Sequence, residues 1–350
     1  MKPNQLKVAM IRSAVKKGIR DIKDEPKRGA RNLVELGEMF STGAYQQNFF
    51  TMAMNHLNDE SSAYYRIVNR VVQTMNEETL LTFGINLGYN ALIHGGGMIR
   101  CIEQREGFNV PWCLQIELGD EAGVLPLDIE AIIEQGMELG IYCYLFSIDT
   151  EYSHMEELLQ IIHSQSDCAF LLFLHPSMIT SAFCDAFLEL HNALPVLDID
   201  VVSEDELKCA IDQLSSVNCL PSGFTRQADF TAKDKANETL EYAEAIDLHV
   251  LVFVRIEKHR PTNEDDVYRQ LVKLRENLDV PVLPIDLFGD LAHADRVIST
   301  EACLASIKKD GTFTLSNMEQ SVWMSGYNIR EQSLQEILEH AMPKRKNASI

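Results

Sequence analysis

The chain has 350 residues, 46% of them hydrophobic, enough for one large α/β domain or two smaller ones with a substantial core. Its 52 acidic against 31 basic side chains give a formal charge of −21, which argues against nucleic acid as a partner, because phosphates are repelled. No run of about 18 apolar residues is present and no apolar signal core opens the chain, so no transmembrane segment and a cytoplasmic location are expected. The charge is uneven: residues 1–31 hold ten Lys or Arg against three acids. This basic segment is expected to dock on the chain's own acidic body, the alternative being an anionic membrane surface or an acidic partner. The eight cysteines (101, 113, 143, 168, 184, 209, 219 and 303) form no Cys-x-x-Cys pair. Several lie inside apolar patterns, so reduced core thiols are expected rather than a zinc site.

Residues 5–22 place Leu6, Met10, Val15, Ile19 and Ile22 at helical spacing among lysines and arginines. Residues 24–31 read as a polar linker. Helical patterns resume at 32–40, break at Gly43, and return at 49–56 and 63–75. Asn76 ahead of Glu77 and Glu78 reads as a helix cap. The following helix, 80–93, runs into Gly95, Gly96 and Gly97. A triple glycine cradles phosphate when a strand precedes it. Here a helical pattern precedes it, which favours a hinge or a close helix contact. Residues 1–105 are therefore predicted to be an all-helical N-terminal part.

The character changes near residue 109. Residues 138–147 read as a helix end, a short turn and a buried strand, and short apolar runs at 113–118, 168–174 and 194–200 read as further buried strands, with helical patterns at 127–139, 155–164 and 181–192 between them. A helix at 204–214 leads to a strand at 222–226. A helix at 233–245 leads to a strand at 248–256, where Val250, Val252 and Val254 give the strongest β signal. A helix at 264–278 precedes a strand at 280–287, in which Pro284 indicates an edge or a bulge. Seven parallel candidates alternating with helices predict an α/β fold with a partial or closed (β/α) barrel over 106–290. An open doubly wound sheet fits less well, since no Gly-rich fingerprint follows the first strand. Over 291–350 a hairpin of 303–307 and 312–315 turns at Asp310-Gly311. A last helix, 333–341, precedes the basic end Lys344, Arg345, Lys346, so this part reads as a small hairpin–helix extension.

No Gly-x-Ser-x-Gly, phosphate loop or His-Glu-x-x-His is present. The ten histidines lack ligand spacing, and His175, at a strand end, is expected to be structural. Polar residues do gather at predicted strand C-termini, where crossover loops open: Glu117, Ser147, Asp149, His175, Asp198, Asp200, Arg226, Arg255, Glu257 and Asp286. Asp149, Asp198, Asp200, Arg255 and Asp286 are the candidate binding residues of one barrel mouth, suited to a cation or a zwitterionic ligand. No spacing fixes a nucleophile or a general base, so no catalytic residue and no metal ligand set is assigned.

Four segments carry a family resemblance: Glu106-Gly-Phe-Asn-Val-Pro-Trp112, Ile132 to Tyr142, Asp167-Cys-Ala-Phe170 and Tyr327 to Leu334. With the order of elements, they resemble radical S-adenosylmethionine (SAM) proteins bearing a C-terminal SPASM-type extension. The resemblance implies a 4Fe–4S cluster on a Cys-x-x-x-Cys-x-x-Cys loop after the first strand, and SAM on its open iron. Here that loop is Glu117-Leu-Gly-Asp-Glu-Ala-Gly123, without cysteine. The family's SAM-binding Gly-Gly-Glu-Pro falls on Ile148-Asp-Thr-Glu151. Its Thr-Asn-Gly falls on Leu174-His-Pro176, and its auxiliary-cluster cysteines fall on Val297 and Ser316. The scaffold with erased ligands implies a degenerate member without cofactor, a pseudoenzyme whose partner is a homologous radical SAM subunit or a peptide. The alternatives are an active radical SAM enzyme with non-standard ligands and a barrel enzyme with a divalent cation on Asp198 and Asp200.

Overall fold

The computed structural model describes residues 3–39, 41, 44–120, 123–200, 203–226, 233–254, 264–276, 278, 280–299, 301–317 and 320–344. The helical N-terminal region comprises α1 (Pro3–Asp24), α2 (Pro26–Met39), α3 (Ala44–Leu57), α4 (Ala63–Thr74) and α5 (Glu77–Ile85). A π-helical segment, Asn86–Gly95, and α6 (Gly96–Glu106) follow directly. Then come β1 (Cys113–Leu118), α7 (Pro126–Leu139), β2 (Cys143–Ile148), α8 (Met155–Ser164), β3 (Ala169–Leu174), α9 (Ser181–Phe187) and β4 (Ala193–Asp198). The alternation continues through α10 (Glu204–Ser216), β5 (Ser222–Thr225), α11 (Lys233–Ala245), β6 (Val250–Phe253), α12 (Glu264–Glu276), β7 (Leu283–Asp286) and α13 (Leu287–Ile298). The chain closes with β8 (Leu304–Ile307), β9 (Thr312–Asn317), β10 (Gln320–Asn328) and α14 (Leu334–Ala341).

This is the expected α/β fold, with a mostly parallel sheet, a helical N-terminal region and a hairpin–helix end. The ten strands run in the order β10-β9-β8-β1-β2-β3-β4-β5-β6-β7. β10 and β7 stand at the two ends of that order. Pro284 sits on the edge strand β7, where its missing N–H costs no ladder bond. The chain divides into two compact units, Met1–Ile85 with Phe173–Asp290, and Asn86–Leu172 with Leu291–Ile350.

In the first unit, α1 buries Ile11, Ile19 and Ile22. A different stripe of α1 meets the start of α5. Arg12 pairs with Glu78, and Lys16, Arg20 and Lys23 lie 4.0, 3.8 and 3.6 Å from Glu77. The basic segment thus docks on the chain's own carboxylates. The predicted linker at 24–31 is instead the start of α2, and Glu25 alone separates the two helices. Pro26 opens α2 at the position where an N–H has no intrahelical partner anyway. Gly29 lets α2 turn back tightly on α1, since a Cβ there would lie 2.4 Å from the backbone nitrogen of Ile22. Asn76 caps α5 as its position predicts, its side chain accepting from the N–H groups of Glu78 at 2.8 Å and Thr79 at 3.2 Å.

In that unit α4 is tied to the start of β6 by polar contacts. Arg70 donates to the carbonyls of Leu248 at 3.1 Å and Pro281 at 3.2 Å and pairs with Asp247 at 2.6 Å. His249 is buried, 3.0 Å from the Thr74 hydroxyl. Burial, and then the Arg70 charge, hold its imidazole below the usual 6.5. The unfolded chain therefore takes up a proton before the folded one does, and the stability this group contributes is present above that value and lost as pH falls below it. The urea midpoint is expected to fall between pH 7 and pH 5. The fall should be smaller in His249→Gln, and equal slopes for the two proteins would show that His249 does not titrate in this way.

In the second unit, β1 and β2 pair residue for residue, from Cys113 opposite Cys143 to Leu118 opposite Ile148. β8 adds to the other side of β1 in parallel, and β9 and β10 continue antiparallel. The hairpin turn at Asp310-Gly311 is as predicted, with Gly311 at φ 84°. β10 and α13 are additions that the sequence pattern did not yield. The triple glycine is helical and marks a close contact, not a break. A Cβ on Gly95 would lie 2.3 Å from the carbonyl oxygen of Gly140, the left-handed residue that ends α7. Gly95→Ala is therefore expected to cost about 1–3 kcal/mol through overpacking, read as a lower denaturation midpoint. Gly84→Ala, where a Cβ meets nothing within 4 Å, serves as the neutral comparison.

The start of β1 is anchored by a buried polar cluster. Asp295 accepts from the N–H of Trp112 at 3.4 Å and of Cys303 at 2.8 Å. Burial pushes its carboxyl well up, against those two donors. Glu103 accepts from Val110 N–H at 3.1 Å and from the Ser299 hydroxyl at 2.5 Å, and pairs with Lys344 at 3.0 Å. The C-terminal segment is laid along residues 107–109 by Asn109 N–H to Met342 O at 2.8 Å and Lys344 N–H to Gly107 O at 2.9 Å.

Candidate functional site

Several of the polar residues at the strand C-termini are already engaged. In the second unit, Glu117 near the end of β1 meets Lys308 at 2.6 Å, and Asp149 after β2 pairs with Lys309. Both lysines belong to the β8–β9 turn. The N–H of Val124 also donates to Lys309 O at 2.8 Å, so the turn is fastened to the segment that follows β1. Gly119 lies close beneath this contact: a Cβ there would be 2.6 Å from Asp149 Oδ2. Ser147 is exposed.

In the first unit, Asp198 and Asp200 are brought together at the end of β4, but around an arginine. Asp198 is buried. Its Oδ1 accepts from Asp200 N–H at 3.0 Å and its Oδ2 pairs with Arg226. Asp200 accepts from the Thr225 hydroxyl at 2.7 Å and from Arg226 N–H at 2.6 Å. The guanidinium of Arg226 stacks over Phe224, 4.7 Å to the ring centroid. All four carboxylate oxygens therefore have donors, and a divalent cation would have to displace Arg226 to bind there. Asp286 is buried at the end of β7, where its N–H donates to Asp290 at 2.9 Å rather than to either Asp198 or Asp200. Arg255 and Glu257 lie outside the described residues. His175 has a local structural contact: its Nδ1 accepts from Ser177 N–H at 3.2 Å and caps a short 3-10 turn, Pro176–Met178.

Sequence reasoning missed Lys308 and Lys309. They stand in a turn that the Asp-Gly signal located, but their acidic partners lie more than 150 residues away. The parallel pairing of β8 with β1 brings them together, and no local pattern encodes that.

The cysteines do not fit a cluster held by three thiolates after β1. Cys113 and Cys143 begin their strands and Cys168 precedes β3, so all three sit at the strand starts. They are buried, and burial pushes the thiols of Cys113 and Cys168 well up, against the thiolate form that binds iron. Cys101 and Cys209 are exposed, contrary to a uniformly buried set. Among the described residues, no group of three or more His, Cys, Asp or Glu is placed to hold a metal ion.

The sequence matches no family model and no curated protein. Among solved structures the fold is similar to that of SuiB from Streptococcus suis. SuiB bound to S-adenosylmethionine aligns at 11% identity and a TM-score of 0.49, covering 69% of this chain and 67% of that one. SuiB bound to its precursor peptide SuiA aligns at 11% identity and 0.48, covering 68% and 67%. A third SuiB structure aligns at 10% and 0.48, covering 88% and 78%. The expectation of a chain without cofactor is corrected by the first of these: SuiB has been solved holding S-adenosylmethionine, so that expectation is not retained. No helix among the described residues is long and apolar enough to cross a membrane.

Proposed function

We propose that the chain is a binding or partner subunit on a radical-SAM-type scaffold, engaging a peptide or a homologous catalytic chain. The observation that supports it most is the state of the strand-end acids. Glu117, Asp149, Asp198 and Asp200 are each held by donors from their own unit. A general base needs a carboxylate lone pair turned to its substrate, and a metal site needs several. Asp198 and Asp200, with a donor on every carboxylate oxygen, suit neither role as they stand, and polar groups fixed in this way are of the kind that recognition uses. The peptide or homologous-chain class of partner follows from the sequence resemblance. The test is to purify the tagged chain from its own source cells and weigh the complex by light scattering and mass spectrometry. A stoichiometric peptide or second polypeptide is the expected result. A bare monomer, or reductive cleavage of S-adenosylmethionine by the chain alone after anaerobic reconstitution, would overturn the reading.

A further inference from the structure

The basic face of α1 holds more positive charge than its own contacts neutralise. Arg12, Lys16, Arg20 and Lys23 recur at intervals of four, four and three, which places them along one stripe of the helix. Three of these cations lie within 4.0 Å of the single carboxylate of Glu77, and Arg12 takes Glu78. Four cations thus share two acids. Their side chains are 36–63% exposed, and Glu77 itself is 34% exposed. The acids of α1 do not offset the surplus. Asp21 and Asp24 line the groove on the α2 side, with Lys17 and Arg28. Glu77 and Glu78 lie in the first turn of α5, a position where the helix dipole favours acidic side chains.

Resting on the peptide-binding reading above, we propose that this face of α1 docks an acidic segment of the peptide, with Glu77 standing in for a ligand carboxylate. Three convergent cations bind an added carboxylate by charge-assisted hydrogen bonds, and a chain of acidic residues can follow the stripe along the helix. The face suits a peptide rather than an anionic bilayer. A molecule of charge −21 is repelled by a negative plane that meets much of its surface, whereas a slender segment meets only the stripe.

The experiment uses the full chain, a labelled hexaglutamate peptide and fluorescence anisotropy at low salt. Saturable binding is expected, weakened about tenfold in the variant Lys16→Gln, Arg20→Gln, Lys23→Gln. Exposed pairs contribute little to folding, so that variant should stay folded, which circular dichroism checks. Glu77→Gln removes the internal competitor and is expected to tighten binding severalfold, a gain that damage to the fold does not produce. No binding, or binding indifferent to both variants, overturns the proposal. Binding to phosphatidylserine vesicles in place of hexaglutamate overturns it in favour of lipid. A face that takes hexaglutamate on a chain that carries no partner in its source cells leaves the docking face standing and retires the partner-subunit reading.

Discussion

Arg275→Met is expected to lower stability by about 3–5 kcal/mol, the cost of leaving a carboxylate without its buried cation. Arg275, on α12, is only 8% exposed. Its Nη1 donates to Asp290 Oδ1 at 2.9 Å, its Nη2 pairs with the other oxygen, and its Nε donates to Pro284 O at 2.8 Å. One side chain thereby fixes α12 to the edge strand β7 and to the first turn of α13. Asp290 also accepts from the Tyr268 hydroxyl at 3.2 Å and from Asp286 N–H at 2.9 Å. Arg275→Lys should recover less than half of the loss, because an ammonium cannot reproduce the fork. Removing both charges, in Arg275→Met with Asp290→Asn, should cost less than the single change. Urea unfolding followed by circular dichroism measures all three, and a single variant no worse than the double one would show that the pair is not the anchor.

The second large effect is expected at the C-terminus. Lys344→Met should cost about 3 kcal/mol, since it strips the cation from Glu103, which is 2% exposed. Two hydrogen bonds to Glu103 survive, from Val110 N–H and the Ser299 hydroxyl, and they keep the loss at the low end. Adding Glu103→Gln should restore most of it. Trp112 is the reporter: it is buried, and its indole N–H donates to Leu291 O at 3.0 Å beside this cluster. A fluorescence midpoint unchanged by Lys344→Met would show that the C-terminal segment adds nothing to the unit.

Much of the fold was legible because its strands are short apolar runs between turns. β1, α8 and α11 fall on their predicted bounds. α13 was not legible: Gly289, Asp290 and Asp295 interrupt its apolar stripe, and those acids are there for tertiary reasons. Asp290 serves Arg275, and Asp295 serves the backbone at the start of β1. The linker reading at 24–31 failed because charged residues and Pro26 look like a break, whereas Gly29 shows that they form a tight antiparallel turn of two helices. The strand-end acids were found by position alone. What the sequence could not show is that each meets a cation or donor from a distant segment, since Lys308, Lys309 and Arg226 owe their place to strand order rather than to spacing.

Each compact unit is assembled from two separated stretches of chain, and that has a consequence during synthesis. The first unit needs residues 1–85 and 173–290 together. Its helix α4 reaches partners such as Leu248, Leu278 and Pro281, all made much later. At translation speeds of about 5–20 residues per second, the N-terminal helices wait roughly 10–40 s for them. During that interval α4 lacks these partners, and the nascent chain is expected to be a client for a holding chaperone. Slowing the ribosome between codons 85 and 290 should therefore lower the soluble yield, while slowing it beyond codon 290 should spare the first unit.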